Sequence, residues 1–73
     1  MNVIEEGQIE STFNGFKDNS TTFKFAGGNT WQQNEYKCNY HFEYMPKAKV
    51  IMQSGAYYLE IESMNDKVEV TKV

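Results

Sequence analysis

The chain has 73 residues, one cysteine, and a formal net charge of −3 from ten acidic and seven basic side chains. A chain of this length supports one core, so we predict a single domain at residues 8–73 behind a flexible N-terminal arm at residues 1–7. The negative balance gives no overall attraction to phosphate backbones or anionic lipid, which disfavours nucleic acid and membrane partners. A lone thiol, Cys38, and the lack of a basic or apolar leader predict a cytoplasmic location.

The first half of the chain alternates polar and apolar residues with a period of two. Residues 8–16 predict a first strand ending at the turn-prone Asn14-Gly15 pair, and residues 21–25 predict a second strand. Gly27-Gly28-Asn29 can supply the positive φ angles of a hairpin turn. Residues 30–34 therefore predict the returning strand.

The clearest alternation lies in residues 36–44, where one face is aromatic and the other is polar. The aromatic face consists of Tyr36, Cys38, Tyr40, Phe42 and Tyr44. We expect this face to turn inward. Pro46 lacks the N–H donor that a central strand needs, so it marks the boundary of the strand.

Residues 47–62 predict a hairpin with a two-residue turn at Ser54-Gly55. This turn sets Val50 opposite Leu59 on the inner side and Lys49 opposite Glu60 outside, so apolar residues pair and opposite charges pair. A one-residue slip would set lysines against apolar partners. The register is therefore defined, and a last short strand follows at Val68 and Val70.

About five or six short strands joined by tight turns, with no helical segment, predict an all-β fold. We expect a small antiparallel barrel of the SH3-like type, with an OB-like barrel as the alternative. An OB-fold usually carries a helix, which the sequence does not supply.

The predicted inward positions contain more large side chains than so small a domain can bury, since about 60 residues bury only about 60% of their unfolded surface. They are Ile9, Phe13, Phe23, Phe25, Trp31, Tyr36, Cys38, Tyr40, Phe42, Tyr44, Val50, Met52, Tyr57, Leu59, Ile61, Val68 and Val70. We therefore expect some of the tyrosines or Trp31 to reach the surface or a partner. Ile51 and Tyr58, opposite each other on the outer face, form either a contact patch or an ordinary pair of surface apolar residues.

Catalytic and metal sites find little support in the sequence. Cys38 and His41 are three apart, which sends their side chains to opposite faces of a strand, so they do not predict a nucleophile and base. One cysteine and one histidine match no structural zinc spacing. We expect no enzyme activity, no metal and no cofactor; Cys38 is interpreted as a small core residue and His41 as an exposed polar one.

One sequence pattern resembles that of a known group of domains. Thr22-x-Lys24-Phe25-x-x-Gly28-x-x-Trp31-Gln32-Gln33 is followed by Tyr36, Tyr40, Tyr44 and Pro46 at regular spacing. This resembles a group of short bacterial and phage β-barrel domains of unassigned function, over about residues 9–73. The resemblance implies a barrel and transfers no activity. The proline-binding groove of true SH3 domains is not carried over, because its acidic and aromatic loop signature is missing.

Aromatic side chains in excess of what a core requires favour a non-catalytic binding module for a protein or peptide. The predicted binding residues are Trp31, Gln33, Tyr36, Tyr40, Tyr44, Ile51 and Tyr58. The alternative is a homo-oligomer that binds or sequesters a nucleotide-like small molecule, since aromatic rings stack on bases. Single-stranded nucleic acid ranks third because a basic groove is missing.

Overall fold

The computed structural model describes residues 2–73, and in this range the protein is all-β, with eight strands in two antiparallel sheets. The strands are β1 Asn2–Gln8, β2 Thr12–Phe16, β3 Thr22–Lys24, β4 Thr30–Gln33, β5 Asn39–Tyr44, β6 Lys47–Gln53, β7 Ala56–Ile61 and β8 Lys67–Lys72. One sheet has the order β1-β6-β7-β8-β4-β3, and the other contains β2 and β5. No helix in the described range is long and apolar enough to cross a membrane.

The six-stranded sheet does not form a closed barrel within residues 2–73. Its outer strands continue into segments that meet at one isolated bridge, between Ile9 and Phe25. Two backbone hydrogen bonds flank this bridge: Ala26 N–H donates to Gln8 O at 2.9 Å, and Glu10 N–H donates to Lys24 O at 2.7 Å. The predicted all-β class is confirmed, whereas the closed barrel is not found.

The hairpin of β6 and β7 has the predicted register. Val50 pairs with Leu59 and Lys49 pairs with Glu60. At the turn, Ser54 has φ 54° and Gly55 has φ 81°. Two consecutive positive φ angles are those of a type I′ turn, whose twist matches the flanking strands. Local turn chemistry and cross-strand pairing therefore agree.

Residues 2–8 do not form the arm that we expected at residues 1–7, because strand β1 pairs with β6 along its length. Gly7 lies opposite Ala48, and the register shifts once, between Val3 and Glu5. The segment lacks a regular apolar alternation because most of its side chains are exposed. Its backbone pairing, which composition does not report, holds it in the sheet.

The predicted first strand at residues 8–16 is interrupted at Ser11, which has φ 64°, and resumes as β2. Asn14-Gly15 is not a turn. Gly15 lies inside β2 with φ 98°, beside a register shift in the pairing of β2 with β5. Here the glycine serves a close approach between two strands and not a chain reversal.

The core confirms ten of the predicted inward positions: Ile9, Phe13, Phe23, Phe25, Trp31, Val50, Leu59, Ile61, Val68 and Val70. It also contains Ala48, which the hairpin register places on the inner side opposite Ile61, and Phe16 and Ile51, which the sequence analysis did not place there. The rings of Phe13 and Phe16 lie 5.9 Å and 6.0 Å from that of Phe23. Through these rings, β2 packs the two-stranded sheet against the six-stranded sheet.

The connection from β1 to β2 and the connection from β5 to β6 lie next to each other, at one corner of the fold. Ser11 and Met45 each have a positive φ, 64° and 49°, and Met45 N–H donates to Ser11 O at 2.8 Å. Next to them, Ile9 N–H donates to Pro46 O at 2.9 Å. The chain therefore leaves β1 and returns to β6 at the same point.

Candidate binding surface

Strand β5 turns its aromatic side chains to solvent, which is the reverse of the orientation that we expected. Tyr40 is 71% exposed, Phe42 76% and Tyr44 70%, and Tyr36, which precedes β5, is 76% exposed. We call these four side chains the aromatic surface. Alternation showed which residues share a face but not which face turns to the core. The inward placement expected for the whole face is therefore wrong, and the expectation that some of its tyrosines reach the surface is confirmed.

On the opposite side, polar side chains of β5 and of the residues before it form hydrogen bonds with the segment between β7 and β8 and with the start of β8. Lys37 Nζ donates to Asp66 Oδ1 at 3.0 Å and to the Lys67 carbonyl at 2.6 Å, and Asn39 Nδ2 donates to Asp66 Oδ2 at 3.0 Å. Burial opposes ionisation of Asp66, but the hydrogen bonds from Asn39 and Lys37 outweigh it and lower the pKa of this carboxyl. These contacts explain why the polar face turns inward.

His41, Glu43 and Ser63 form a second polar contact beneath β5. His41 Nε2 lies 3.1 Å from both Glu43 Oε1 and Ser63 Oγ, and the Ser63 hydroxyl also donates directly to Glu43. The hydrogen bonds from Ser63 and then His41 lower the pKa of Glu43. In a catalytic triad the histidine uses opposite ring nitrogens to link serine and acid, whereas here one nitrogen contacts both. The cluster therefore fits a contact that holds β5 to the segment after β7, and not a proton relay.

Gly15 allows β2 to approach β5 closely enough to support the aromatic surface. A Cβ added at Gly15 would lie closer than 3.0 Å to backbone atoms of Asn39, Tyr40 and His41. Backbone atoms cannot move aside as a side-chain tip can. The residue type at position 15 is therefore fixed by β5 and by its own φ of 98°.

Gln33, a predicted binding residue, is buried and 1% exposed. Its Nε2 donates to the carbonyl oxygens of Glu35 and Lys37, at 3.0 Å and 2.9 Å. Gln33 thereby shapes the segment that carries Tyr36. Its role in the structure is to position this part of the aromatic surface, and it offers no contact area of its own.

Trp31, another predicted binding residue, is also buried, at 2% exposure. Its Nε1 donates to Glu5 Oε1 at 2.7 Å, and the other oxygen of Glu5 accepts from Asn29 N–H at 3.0 Å. The ring packs 5.5 Å from that of Tyr57. A carboxylate on β1 satisfies the indole N–H, which is why this tryptophan can be buried.

The pair Ile51 and Tyr58 does not form the outer contact patch that we considered. The two residues are opposite each other as predicted, but β1 places Val3 on the other side of Ile51, which is fully buried. Tyr58 is half-buried, with Lys67 Nζ 5.0 Å from its ring centre. Of the predicted binding residues, Tyr36, Tyr40 and Tyr44 lie together on the exposed surface.

Cys38 is exposed and is not the core residue that we expected. The neighbouring Cys38 side chain raises the pKa of the Tyr40 phenol. His41, expected to be exposed, is half-buried against Phe13 with ring centres 6.5 Å apart. Phe42 joins the aromatic surface, although the sequence analysis assigned it only to the core.

Residues 2–73 contain no group of three or more histidine, cysteine, aspartate or glutamate side chains placed to hold a metal ion.

Comparisons of the chain with protein-family models, curated proteins and solved structures find no match. The resemblance to short bacterial and phage domains stays a prediction, and the candidate site rests on the geometry of β5.

Proposed function

We propose that this chain is a non-catalytic binding module that engages a protein or peptide through Tyr36, Tyr40, Phe42 and Tyr44. The observation that supports the proposal most is the orientation of β5: its polar residues face the body and its aromatic residues face away. An SH3-like strand arrangement and a cytoplasmic setting belong to the same proposal.

The size of the aromatic surface supports this function. Aromatic side chains bury about 150–250 Å² each, so four that are 70–76% exposed present roughly 400–700 Å². The largest apolar patch on a typical monomer is about 300–600 Å² and is often functional. Tyrosine and tryptophan lead among residues that dominate interface energies, and rigid rings lose little entropy on binding.

The test is capture of a partner by the immobilised chain from a lysate of its source cells, compared with a Tyr40→Ser/Phe42→Ser variant. Val73→Ser is the matched control, because Val73 is an exposed apolar residue outside β5, at 62% exposure. Loss of one hot spot costs about 2 kcal/mol, or about 30-fold in affinity. We expect at least that loss for the double variant and none for the control. A folded double variant that binds like the original chain would refute the proposal.

A nucleotide-like small molecule is the second candidate ligand, because the exposed rings of Tyr40, Phe42 and Tyr44 share one side of a strand and are available for stacking. Titration with adenosine and guanosine triphosphates, followed by tyrosine fluorescence, separates the two candidates. Saturable quenching that disappears in Tyr40→Ser/Phe42→Ser would favour the small molecule. A flat titration would favour the protein or peptide partner.

A further inference from the structure

Strand β5 has an unpaired edge. Within residues 2–73, the backbone of residues 39–44 forms its strand hydrogen bonds with β2 alone. Six residues long, β5 contains no lysine or proline, the residues that commonly protect an edge from pairing with another chain. The pairing of β5 with β2 has one register shift, as does that of β1 with β6. The remaining outer strands are better protected: β1 has two glutamates, β2 contains Gly15 at φ 98°, and β3 has three residues.

The sequence of this strand is complementary to itself when it runs antiparallel. If Phe42 of one copy is set opposite Phe42 of a second, Tyr40 lies opposite Tyr44 on the aromatic side. On the other side, His41 lies opposite Glu43. Every aromatic residue then meets an aromatic residue, and each histidine meets a carboxylate, which are favourable cross-strand pairs.

Neighbouring registers lose this complementarity. The aromatic faces of the two strands stay on the same side only when one strand is shifted by two residues along the other. One such shift places Glu43 against Glu43 of the second copy, and the opposite shift places His41 against His41. The first shift sets like charges directly opposite, which destabilises a sheet, and the second removes the pairing of His41 with Glu43, so the register centred on Phe42 is favoured.

We propose that the partner at this edge is a second copy of the chain, paired β5 to β5 in antiparallel orientation about a two-fold axis at Phe42. The two small sheets become one four-stranded sheet of order β2-β5-β5-β2. Three aromatic residues from each copy then share one side, so the second copy completes the aromatic surface. This inference rests on the proposed function, since it uses the same surface, and it assigns that surface to a dimer.

The first test is the mass of the chain by light scattering in reducing buffer, up to about 1 mM, which would detect even millimolar association. We expect a concentration-dependent dimer. Cys38 of the two copies would lie about 27 Å apart, eight residues along the strand, so the dimer does not depend on a disulfide. A monomer throughout this range overturns the inference.

The second test reads the register by cysteine cross-linking in a Cys38→Ser background. Directly opposite residues have Cβ atoms about 4.5–5.5 Å apart, close to disulfide geometry. Mixing Tyr40→Cys with Tyr44→Cys should give a cross-linked dimer of the two variants under mild oxidation. Each variant alone should not cross-link with itself, because its two cysteines are about 14 Å apart. Thr71→Cys, exposed on β8, is the control for random collision.

A charge exchange tests the polar side. His41→Glu places a carboxylate opposite Glu43 of the second copy, and we expect about a 10-fold weaker dimer. Adding Glu43→Lys restores opposite charges, so His41→Glu/Glu43→Lys should recover to within about threefold of the original affinity. A double variant as weak as His41→Glu, or a dimer without the 40–44 cross-link, refutes this register.

These outcomes separate the inference from the proposed function. A monomer whose captured partner is lost in Tyr40→Ser/Phe42→Ser retains the binding module and removes the self-pairing. A cross-linked dimer that captures nothing retains the self-pairing and removes the separate partner.

Discussion

At the scale of single residues, Glu5 links strands that are far apart in the sequence. Its carboxylate accepts from Trp31 Nε1 and from the Asn29 backbone, so β1 is held to the β3–β4 hairpin. Burial opposes ionisation of this group, but these hydrogen bonds outweigh it and lower the pKa of Glu5. Glu5 is therefore more acidic in the folded chain than in the unfolded chain.

We expect Glu5→Gln to lower the free energy of unfolding at pH 7 by about 1 kcal/mol. Hydrogen bonds to charged groups stabilise a fold, but they contribute less when the group is partly exposed to solvent. A depressed folded pKa adds stability above the unfolded pKa, near 4.3, and this stability is lost as pH falls through the folded pKa. The difference from the original chain should thus shrink below about pH 4. Urea unfolding from pH 7 to pH 3 measures it.

The matched control is Glu6→Gln, one residue along β1 and exposed. A difference that stays constant with pH, or an equal loss in Glu6→Gln, would contradict the role of the Glu5 carboxylate.

At the scale of elements, the hairpin of β6 and β7 was predictable and the orientation of β5 was not. The hairpin is defined by neighbours: the Ser54-Gly55 turn fixes the register that pairs Lys49 with Glu60. The orientation of β5 depends on Ser63 and Asp66, which lie more than 20 residues from their partners. Alternation reports a period, and only distant polar partners decide which side faces inward.

The pairing of β2 with β5 should depend on Gly15. We expect Gly15→Ala to cost about 1–3 kcal/mol from its φ of 98°, plus the clash with the backbone of β5. Amide hydrogen exchange should show loss of protection concentrated in residues 39–44, because β2 is the strand that pairs with β5 and its other links to the fold are side-chain contacts.

Gly27→Ala is the control for this prediction, since Gly27 also has a positive φ, 70°, but an added Cβ would meet no atom within 4 Å. We expect Gly27→Ala to have the conformational cost of alanine at a positive φ, without loss of hydrogen-exchange protection in β5. Equal loss of protection in both variants would contradict the close approach at Gly15.

At the scale of the whole molecule, β1 is an integral part of the sheet and not an appendage. It lies against β6 and places Val3 opposite Ile51, whose side chain is fully buried. The sequence did not reveal this, because a mostly exposed edge strand carries no apolar alternation. Backbone pairing leaves no mark on composition.

Removal of residues 2–6, with Met1 retained, should therefore destabilise the chain. Exposure of one isoleucine costs about 1.5–3 kcal/mol, against about 3–5 kcal/mol available to a core of this size. We expect the midpoint of thermal unfolding to fall by about 6–24 °C, on the basis of about 4–8 °C per kcal/mol. Circular dichroism on heating measures this midpoint. An unchanged midpoint would support the flexible N-terminal arm that the sequence predicted.

The corner at Ser11 and Met45 has a consequence for the order of folding. Strands β6, β7 and β8 follow one another through short turns, whereas β1 reaches β6 only after the chain between Ile9 and Pro46 has closed into a loop. Closure of a long loop costs entropy before its contacts form, and non-local pairing slows folding. We therefore expect the three-strand meander to form early, and the pairing of β1 with β6 to follow once Ser11 meets Met45.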